Sequence, residues 1–376
     1  MTVATVMEVP LVDLKAQYRT IREEVRAAID GVLESMQLTI GPNVRAFDQE
    51  WAAYCGTKHS VGVGSGTDAL QLAIRALGIA AGDEVITVSQ TFFATVEAIC
   101  YSGARPVLVD VDECSMLMDL AAVEAAITPR TKAIIPVHLY GRTVDMRPLL
   151  RLAGAHTIAV IEDAAQAHGA LLDDGVTKAG AAGRVGCFSF YCSKNLGAYG
   201  EAGSITTNDD GLADEFRQLR EHGGVQRYYH PVVGYNARLD EIQAAILRIK
   251  LKRLPQWTER RRALARRYEE LLAGSGVRTP ELPAGDRHVM YAYVVRVPDG
   301  KRDALRAHLT ARGIGTQVHY PVPIHLQEAA RFLGYKGGDL PVTERLADEV
   351  LSIPMYPELT DTQQQHVTSS IREFMK

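Results

Sequence analysis

Between residues 60 and 210, short apolar runs alternate with stretches whose apolar positions recur every three or four residues. Apolar runs bounded by polar or turn residues predict buried strands, and the three-to-four spacing predicts amphipathic helices. The expected strands cover residues 84–89, 105–111, 133–140, 157–162, 186–191 and 203–207, and the expected helices cover 68–77, 93–101, 120–127 and 212–222. This alternation is that of βαβ units around a mostly parallel sheet. Such sheets collect ligands outside the carboxyl ends of their strands.

Further on, Ile242, Ile246, Ile249 and Arg253 share one helical face. They predict a long helix over 239–254 that continues past Pro255 into an arginine-rich stretch at 259–272. Beyond Pro280 the pattern changes to a strand at 289–297 and helices at 302–312 and 342–351. The layout expected is a large domain over 30–250 and a smaller α+β C-terminal domain over 251–376, with segment 1–29 packing nearby. Arg260, Arg261, Arg262, Arg266 and Arg267 form the only charge run, read as a solvated helix face paired with Glu259, Glu269 and Glu270.

Composition narrows the classes. Of 376 residues, 47% are hydrophobic and 23% charged, as in an ordinary soluble globular protein. A net charge of −4 gives no general attraction to nucleic acid or anionic lipid. No apolar run approaches the roughly 20 residues needed to span a bilayer. Residues 1–12 lack the basic start and apolar core of a signal peptide, so a cytoplasmic location is expected, with neither nucleic acid nor membrane as partner. Cys55, Cys100, Cys114, Cys187 and Cys192 are scattered without a CxxC pair, which predicts buried free thiols rather than disulfides or a metal site.

The candidate chemistry sits at two strand ends. Asp163 closes the apolar run 158–162, and Lys194 follows the run 188–191. A carboxylate and an amine so placed suit pyridoxal phosphate: the lysine bonds the cofactor's aldehyde, and the acid keeps the pyridine nitrogen protonated. The run GVGSGTDAL at 62–70 is a glycine-rich turn opening a helix, whose N-terminal N–H groups suit a phosphate. Its glycines imitate a dinucleotide loop, but the fingerprint is incomplete and the following strand, VITVS at 85–89, ends without the required acid. Phe92 follows a strand and can stack on the ring, Gln166 can reach the ring hydroxyl, and Ser189 can join Gly66 and Thr67 at the phosphate. Singly, each has a plainer role: a surface lysine, a helix-capping aspartate, a core phenylalanine. Their joint occurrence, in this order, points to pyridoxal phosphate. His168 is read as local packing.

At these residues the chain resembles the DegT/DnrJ/StrS-type nucleotide-sugar aminotransferases, a group of fold-type-I pyridoxal-phosphate enzymes. The matching pieces are GSGTDAL at 64–70, TFFAT at 91–95, PVHLYG at 136–141, EDAAQAHG at 162–169, SFYCSKNLGAYGEAG at 189–203, GYNARLDEIQAA at 234–245 and HYPVPIHLQ at 319–327. They run in order along nearly the whole chain. The resemblance implies an aspartate-aminotransferase-like α/β fold, with a large domain built on a mixed, mostly parallel seven-stranded sheet and a small C-terminal domain. It also implies a homodimer with shared active sites, in which Asn236, otherwise a turn residue, reaches the phosphate bound in the other subunit.

By the same resemblance, Lys194 carries protons between L-glutamate, the cofactor in its pyridoxal and pyridoxamine forms, and a nucleotide-linked keto sugar. His319 and Tyr320 would contact the sugar or its diphosphate. The run Asn195 to Gly203 looks like that of members aminating C3 rather than C4, and HYP at 319–321 with LSIPMYPEL at 351–359 leans toward dTDP-3-keto-6-deoxyhexoses. Ala202 and Cys192 depart from the glycine and proline common in relatives. Other readings are a UDP-linked 3-keto or 4-keto sugar, a cyclitol ketone, or a non-catalytic regulator of the same fold. A sugar dehydratase of this fold would carry histidine in place of Lys194.

Overall fold

The structure is a computed structural model and describes residues 7–283 and 285–376; the first six residues of the N-terminal segment read above lie outside the described residues. Seven strands form the central sheet: β1 (His59–Val63), β2 (Glu84–Val88), β3 (Arg105–Val109), β4 (Thr131–Ile135), β5 (Ala159–Asp163), β6 (Val185–Ser189) and β7 (Gly203–Thr207). Their order is β1-β7-β6-β5-β4-β2-β3. β7 runs against both of its neighbours and every other pairing is parallel, so the sheet is mixed and mostly parallel, as expected. A second sheet pairs β8 (Tyr293–Arg296) with β9 (Val350–Ile353).

Helices α1 (Leu14–Ser35) and α2 (Pro42–Cys55) precede the sheet. The connections between strands carry α3 (Gly66–Ala76), α4 (Ala94–Tyr101), α5 (Leu120–Ala126) and α6 (Met146–Ala155), and α7 (Asp210–Leu219) follows β7. Then come α8 (Glu241–Leu251), α9 (Leu254–Leu272), α10 (Arg302–Ala311), α11 (Pro341–Glu349) and α12 (Asp361–Met375). Val44, Phe47 and Trp51 of α2 pack with Phe188 and Phe190 around β6 and with Ala244 and Leu247 of α8. This apolar wedge fixes α8 behind the strand that leads to Lys194. Another cluster runs from Ile86 and Ile134 in the sheet to Tyr268, Val295, Leu351 and Ile371, so the C-terminal elements share a core with the sheet.

Several expectations need correction. The strand expected over 133–140 ends at Ile135, because Pro136 has no N–H for a ladder and Tyr140 adopts a left-handed φ of 58°. The segment still clasps β5: Asp163 N donates to Pro136 O and His138 N to Asp163 O. The single helix expected across Pro255 is two, α8 and α9, with Pro255 in the first turn of α9, where its missing N–H costs nothing. The helix expected over 342–351 stops at Glu349, and Val350 begins β9. β1 and helices α1, α2, α6 and α12 had no expected counterpart.

The arginine run is not a uniformly solvated face. Arg261 is buried and donates to Met290 O and Met355 O, carbonyls outside the strand ladders that need a donor. Arg260 and Arg267 pair with Asp361, Arg266 with Asp286, and Arg262 with Glu259 and His288 O. Of the free cysteines, Cys55 and Cys187 are buried, whereas Cys114 is exposed in a turn held by Asp112. Among the described residues, no helix is long and apolar enough to cross a membrane.

Candidate active site

At the carboxyl end of β1 the chain turns directly into α3. Ser65 caps the helix, its Oγ accepting from Asp68 N at 3.0 Å. The N–H groups of Gly66 and Thr67 are left for a ligand, with the helix dipole behind them. Glycine is required twice here by close approach. A Cβ on Gly66 would lie 2.7 Å from Ser189 Cβ, and one on Gly203 would lie 2.2 Å from Ser65 O.

Asp163 ends β5. Its Oδ2 accepts from Thr95 Oγ1 at 2.8 Å and its Oδ1 from Ala165 N at 3.2 Å, both neutral donors. Burial pushes its carboxyl above the ordinary carboxylate range, and those two hydrogen bonds, with the charges of Lys194 and His138, offset this only in part. Among the described residues, no cation bonds this carboxylate directly. Lys194 follows β6, its N–H donating to Tyr191 O at 2.8 Å and its Nζ standing 4.5 Å from the centre of the Tyr291 ring.

Gln166 bridges two tyrosines: Oε1 accepts from Tyr140 N at 2.7 Å and Nε2 donates to Tyr320 Oη at 3.1 Å. The Tyr140 hydroxyl donates to His319 O. The His319 Nδ1 lies 2.8 Å from Ser352 Oγ, and burial, helped by the Lys194 charge, lowers its imidazole to about 4, leaving it neutral at neutral pH. Phe92 is 58% exposed, its ring 5.9 Å from that of Tyr320. His168 packs among Trp51, Phe188 and Phe190, lowered by burial to about 3, and donates Nε2–H to Ser189 O at 2.8 Å.

One cavity of about 720 Å³ is lined by Gly66, Thr67, Phe92, Asp163, Gln166, Ser189, Lys194, His319 and Tyr320. Of the site residues read from the sequence, only Asn236 lies elsewhere, exposed and bridged to Glu221. Sequence reasoning missed Thr95, Tyr291, Glu201 and Gln317, which also line the cavity. Thr95 was within reach, because it falls three residues after Phe92 in the TFFAT segment. Tyr291 comes from a distant irregular segment and carries no local signal.

The cavity fits pyridoxal phosphate on its own chemistry. It offers an amine, a buried carboxylate short of a cation, and a helix start stripped of side chain where a phosphate would sit. Residues 19–372 match the DegT/DnrJ/EryC1/StrS aminotransferase family. The chain belongs to this family. It is a pyridoxal-phosphate-dependent sugar aminotransferase.

The aminotransferase is 48% identical to a "pleiotropic regulatory protein" of Geobacillus stearothermophilus, over 98% of this chain and 99% of the relative. It is 47% identical to a dTDP-3-amino-3,4,6-trideoxy-alpha-D-glucose transaminase of Streptomyces venezuelae, over 97% and 96%. It is 46% identical to a UDP-N-acetyl-3-dehydro-alpha-D-glucosamine 3-aminotransferase of Acidithiobacillus ferrooxidans, over 97% of each. Among solved structures, that of S. venezuelae DesV in complex with a ketimine intermediate superposes with a TM-score of 0.95 at 47% identity, covering 98% of this chain and 99% of that one.

Proposed function

We propose that the aminotransferase moves an amino group from L-glutamate to C3 of a dTDP-3-keto-6-deoxyhexose, giving a dTDP-3-amino-3,6-dideoxyhexose. The observation that carries this reading is the convergence of Lys194, Asp163 and the Gly66–Thr67 helix start on one cavity. When bound, pyridoxal phosphate supplies the electron sink that acidifies the C–H beside an amine. The N–H groups of Gly66 and Thr67, with the Ser189 hydroxyl, hold the phosphate, and Phe92 covers a ring face. Asp163 holds the proton on the ring nitrogen, because a cation there offsets the desolvation of its carboxylate.

The Lys194 amine takes the proton from Cα of glutamate in the first half-reaction and, in the second, delivers one to C3 of the sugar. The Tyr291 ring face attracts the ammonium form and keeps it over the cavity. His319, neutral, and Tyr320, held by Gln166, hydrogen-bond the sugar or its diphosphate. Asn236 completes the phosphate site of a second copy of the chain, making the enzyme a homodimer. The exposed apolar side chains Val225, Tyr228, Tyr229, Val232 and Val233, on the same connection between α7 and α8, support that assembly.

Amination at C3 is supported by the names of two relatives, one dTDP-linked and one UDP-linked. A 6-deoxy acceptor is supported by a recess of about 80 Å³ beside His319, whose apolar wall is Leu11, Val12, Ile353 and Met355 and which includes no acidic, lysine or arginine side chain. Such a recess suits a methyl group better than a carboxylate. The UDP-linked 3-keto sugar is the second reading, favoured by the 46% identical relative.

A spectral titration tests both. The visible band of the lysine–cofactor linkage should bleach with L-glutamate and return with dTDP-3-keto-6-deoxyglucose. Return with the UDP-linked sugar alone replaces the acceptor. A bound cofactor that no donor bleaches turns the assignment toward a regulator. Lys194→Ala should abolish both band and turnover, and retained turnover sinks the mechanism.

A further inference from the structure

Beneath the loop that carries Lys194 lies a second lysine with no part in the chemistry above. Lys250, on α8, is fully buried. Its Nζ donates to Gly197 O at 2.6 Å and stands 4.1 Å from the centre of the Tyr199 ring. Gln243, two turns earlier on the same helix, clamps the next part of the loop: it accepts from Tyr199 N at 2.8 Å and donates to Tyr199 O at 3.2 Å. On the other side, Asn195 Nδ2 donates to Val289 O at 2.8 Å. The turn is also closed on itself, since a Cβ on Gly197 would lie 2.4 Å from Cys192 O.

Burying an ammonium is costly, and burial lowers the Lys250 amine to about 7. A methionine of similar length would fill the same volume without that cost. What the lysine adds over methionine is a donor on the Gly197 carbonyl and a positive charge on the Tyr199 face. The titratable groups facing it are Cys192 and Tyr199 from the loop and Glu358 from the segment after β9. The Glu358 carboxyl is itself held above its ordinary range by burial, and Arg261 faces it in turn.

We propose that Lys250 is a positioning residue that sets the place of the Lys194 amine by tethering the 194–199 turn to α8. Gly197 is three residues from Lys194, so freeing its carbonyl lets the turn pivot and carries the amine out of line with the reacting carbon. Above about pH 7 Lys250 loses its charge and the hold on Tyr199 weakens, so the tether loosens as pH rises. The inference rests on Lys194 being the reacting amine; retained turnover in Lys194→Ala defeats that reading, whereas the experiment below addresses only the tether.

The test is hydrogen exchange over residues 191–200, in cofactor-free protein and in holoenzyme, together with pH titration of the visible band. In Lys250→Met, amides of 195–200 should exchange at least about 10-fold faster at fixed pH. The titration midpoint of the lysine–cofactor linkage should shift, and kcat should fall by about 100-fold while KM for glutamate stays within about 2-fold. Lys250→Arg should restore part of the protection. Gln243→Leu, which cuts the second clamp without touching Lys250, should move the same readouts in the same direction and serves if Lys250→Met does not fold. A folded Lys250→Met with unchanged exchange and unchanged midpoint overturns the proposal, as does a Gln243→Leu that leaves both unmoved.

Discussion

His138 Nε2 donates to Glu162 Oε2 at 2.9 Å, and neither side chain reaches solvent. Glu162 also accepts the backbone N–H groups of Gly180, Ala182 and Gly183 at 2.8, 2.8 and 2.6 Å. Burial alone would raise its carboxyl, but His138 and these N–H groups hold it below the ordinary 4.5. Glu162 lies one residue before Asp163, so the pair stiffens the strand end that bears the ring-binding acid. Glu162→Ala should cost about 3–5 kcal/mol in urea unfolding, because it strands the opposing donors. The sign with pH follows from the lowered folded value: the contribution is complete above pH 4.5 and disappears as pH falls through the folded pKa. The stability gap between wild type and Glu162→Gln should therefore close below pH 4.5. A gap that persists in acid contradicts this account.

Asp163 is different, because burial raises it and its own hydrogen bonds are neutral. Asp163→Asn removes a carboxylate that the empty fold does not favour. The cofactor-free variant should melt at or above the wild-type temperature, while transamination falls by about 100- to 10,000-fold. Calorimetry without cofactor, set beside steady-state turnover, separates the two effects. A variant that melts markedly lower would show that Asp163 serves the fold first.

Gly66→Ala places a methyl 2.7 Å from Ser189 Cβ. Backbone must shift on one side, and the helix start moves off its phosphate. Cofactor affinity should drop by at least about 10-fold, or about 1.4 kcal/mol, with the sheet intact. Equilibrium dialysis measures the affinity, and unchanged binding would remove Gly66 from the phosphate site.

Ser89, His325 and Glu344 stand in the order of a nucleophile, a base and an acid: Ser89 Oγ is 2.8 Å from His325 Nδ1, and His325 Nε2 is 3.0 Å from Glu344 Oε1. Ser89 is 1% exposed, and its Oγ also accepts His325 N at 3.1 Å. The relay therefore works as a fastener, tying the segment after Tyr320 to the end of β2. Ser89→Ala should cost about 1–3 kcal/mol. It should raise KM for the keto sugar and spare the glutamate half-reaction, which stopped-flow bleaching of the visible band reads directly. An equal loss in both half-reactions would place the fault elsewhere.

The strands that seat Asp163 and Lys194 were legible because buried parallel strands leave uninterrupted apolar runs. The phosphate turn was legible because only glycine tolerates the approach of Ser189. His59–Val63 does not stand out as a strand because its apolar positions, Val61 and Val63, run straight into the glycine-rich turn that begins at Gly62. Arg261 was misread because a charge run looks solvated until the carbonyls of Met290 and Met355 come beneath it. Tyr291 was unreadable in principle, since its place over Lys194 depends on a fold that joins distant segments. Asn236 carries its expected role only by likeness to relatives.

The cavity draws its walls from 65–70, 91–95, Val137, 163–166, 189–194, Glu201, Tyr291 and 317–321. No single stretch of chain holds enough of it to grip a ligand, so the binding pocket comes into being only when early and late parts of the polypeptide have met. Cofactor retained through gel filtration is therefore a certificate of complete folding, and a chain cut anywhere between residues 65 and 321 whose pieces part should leave the column colourless.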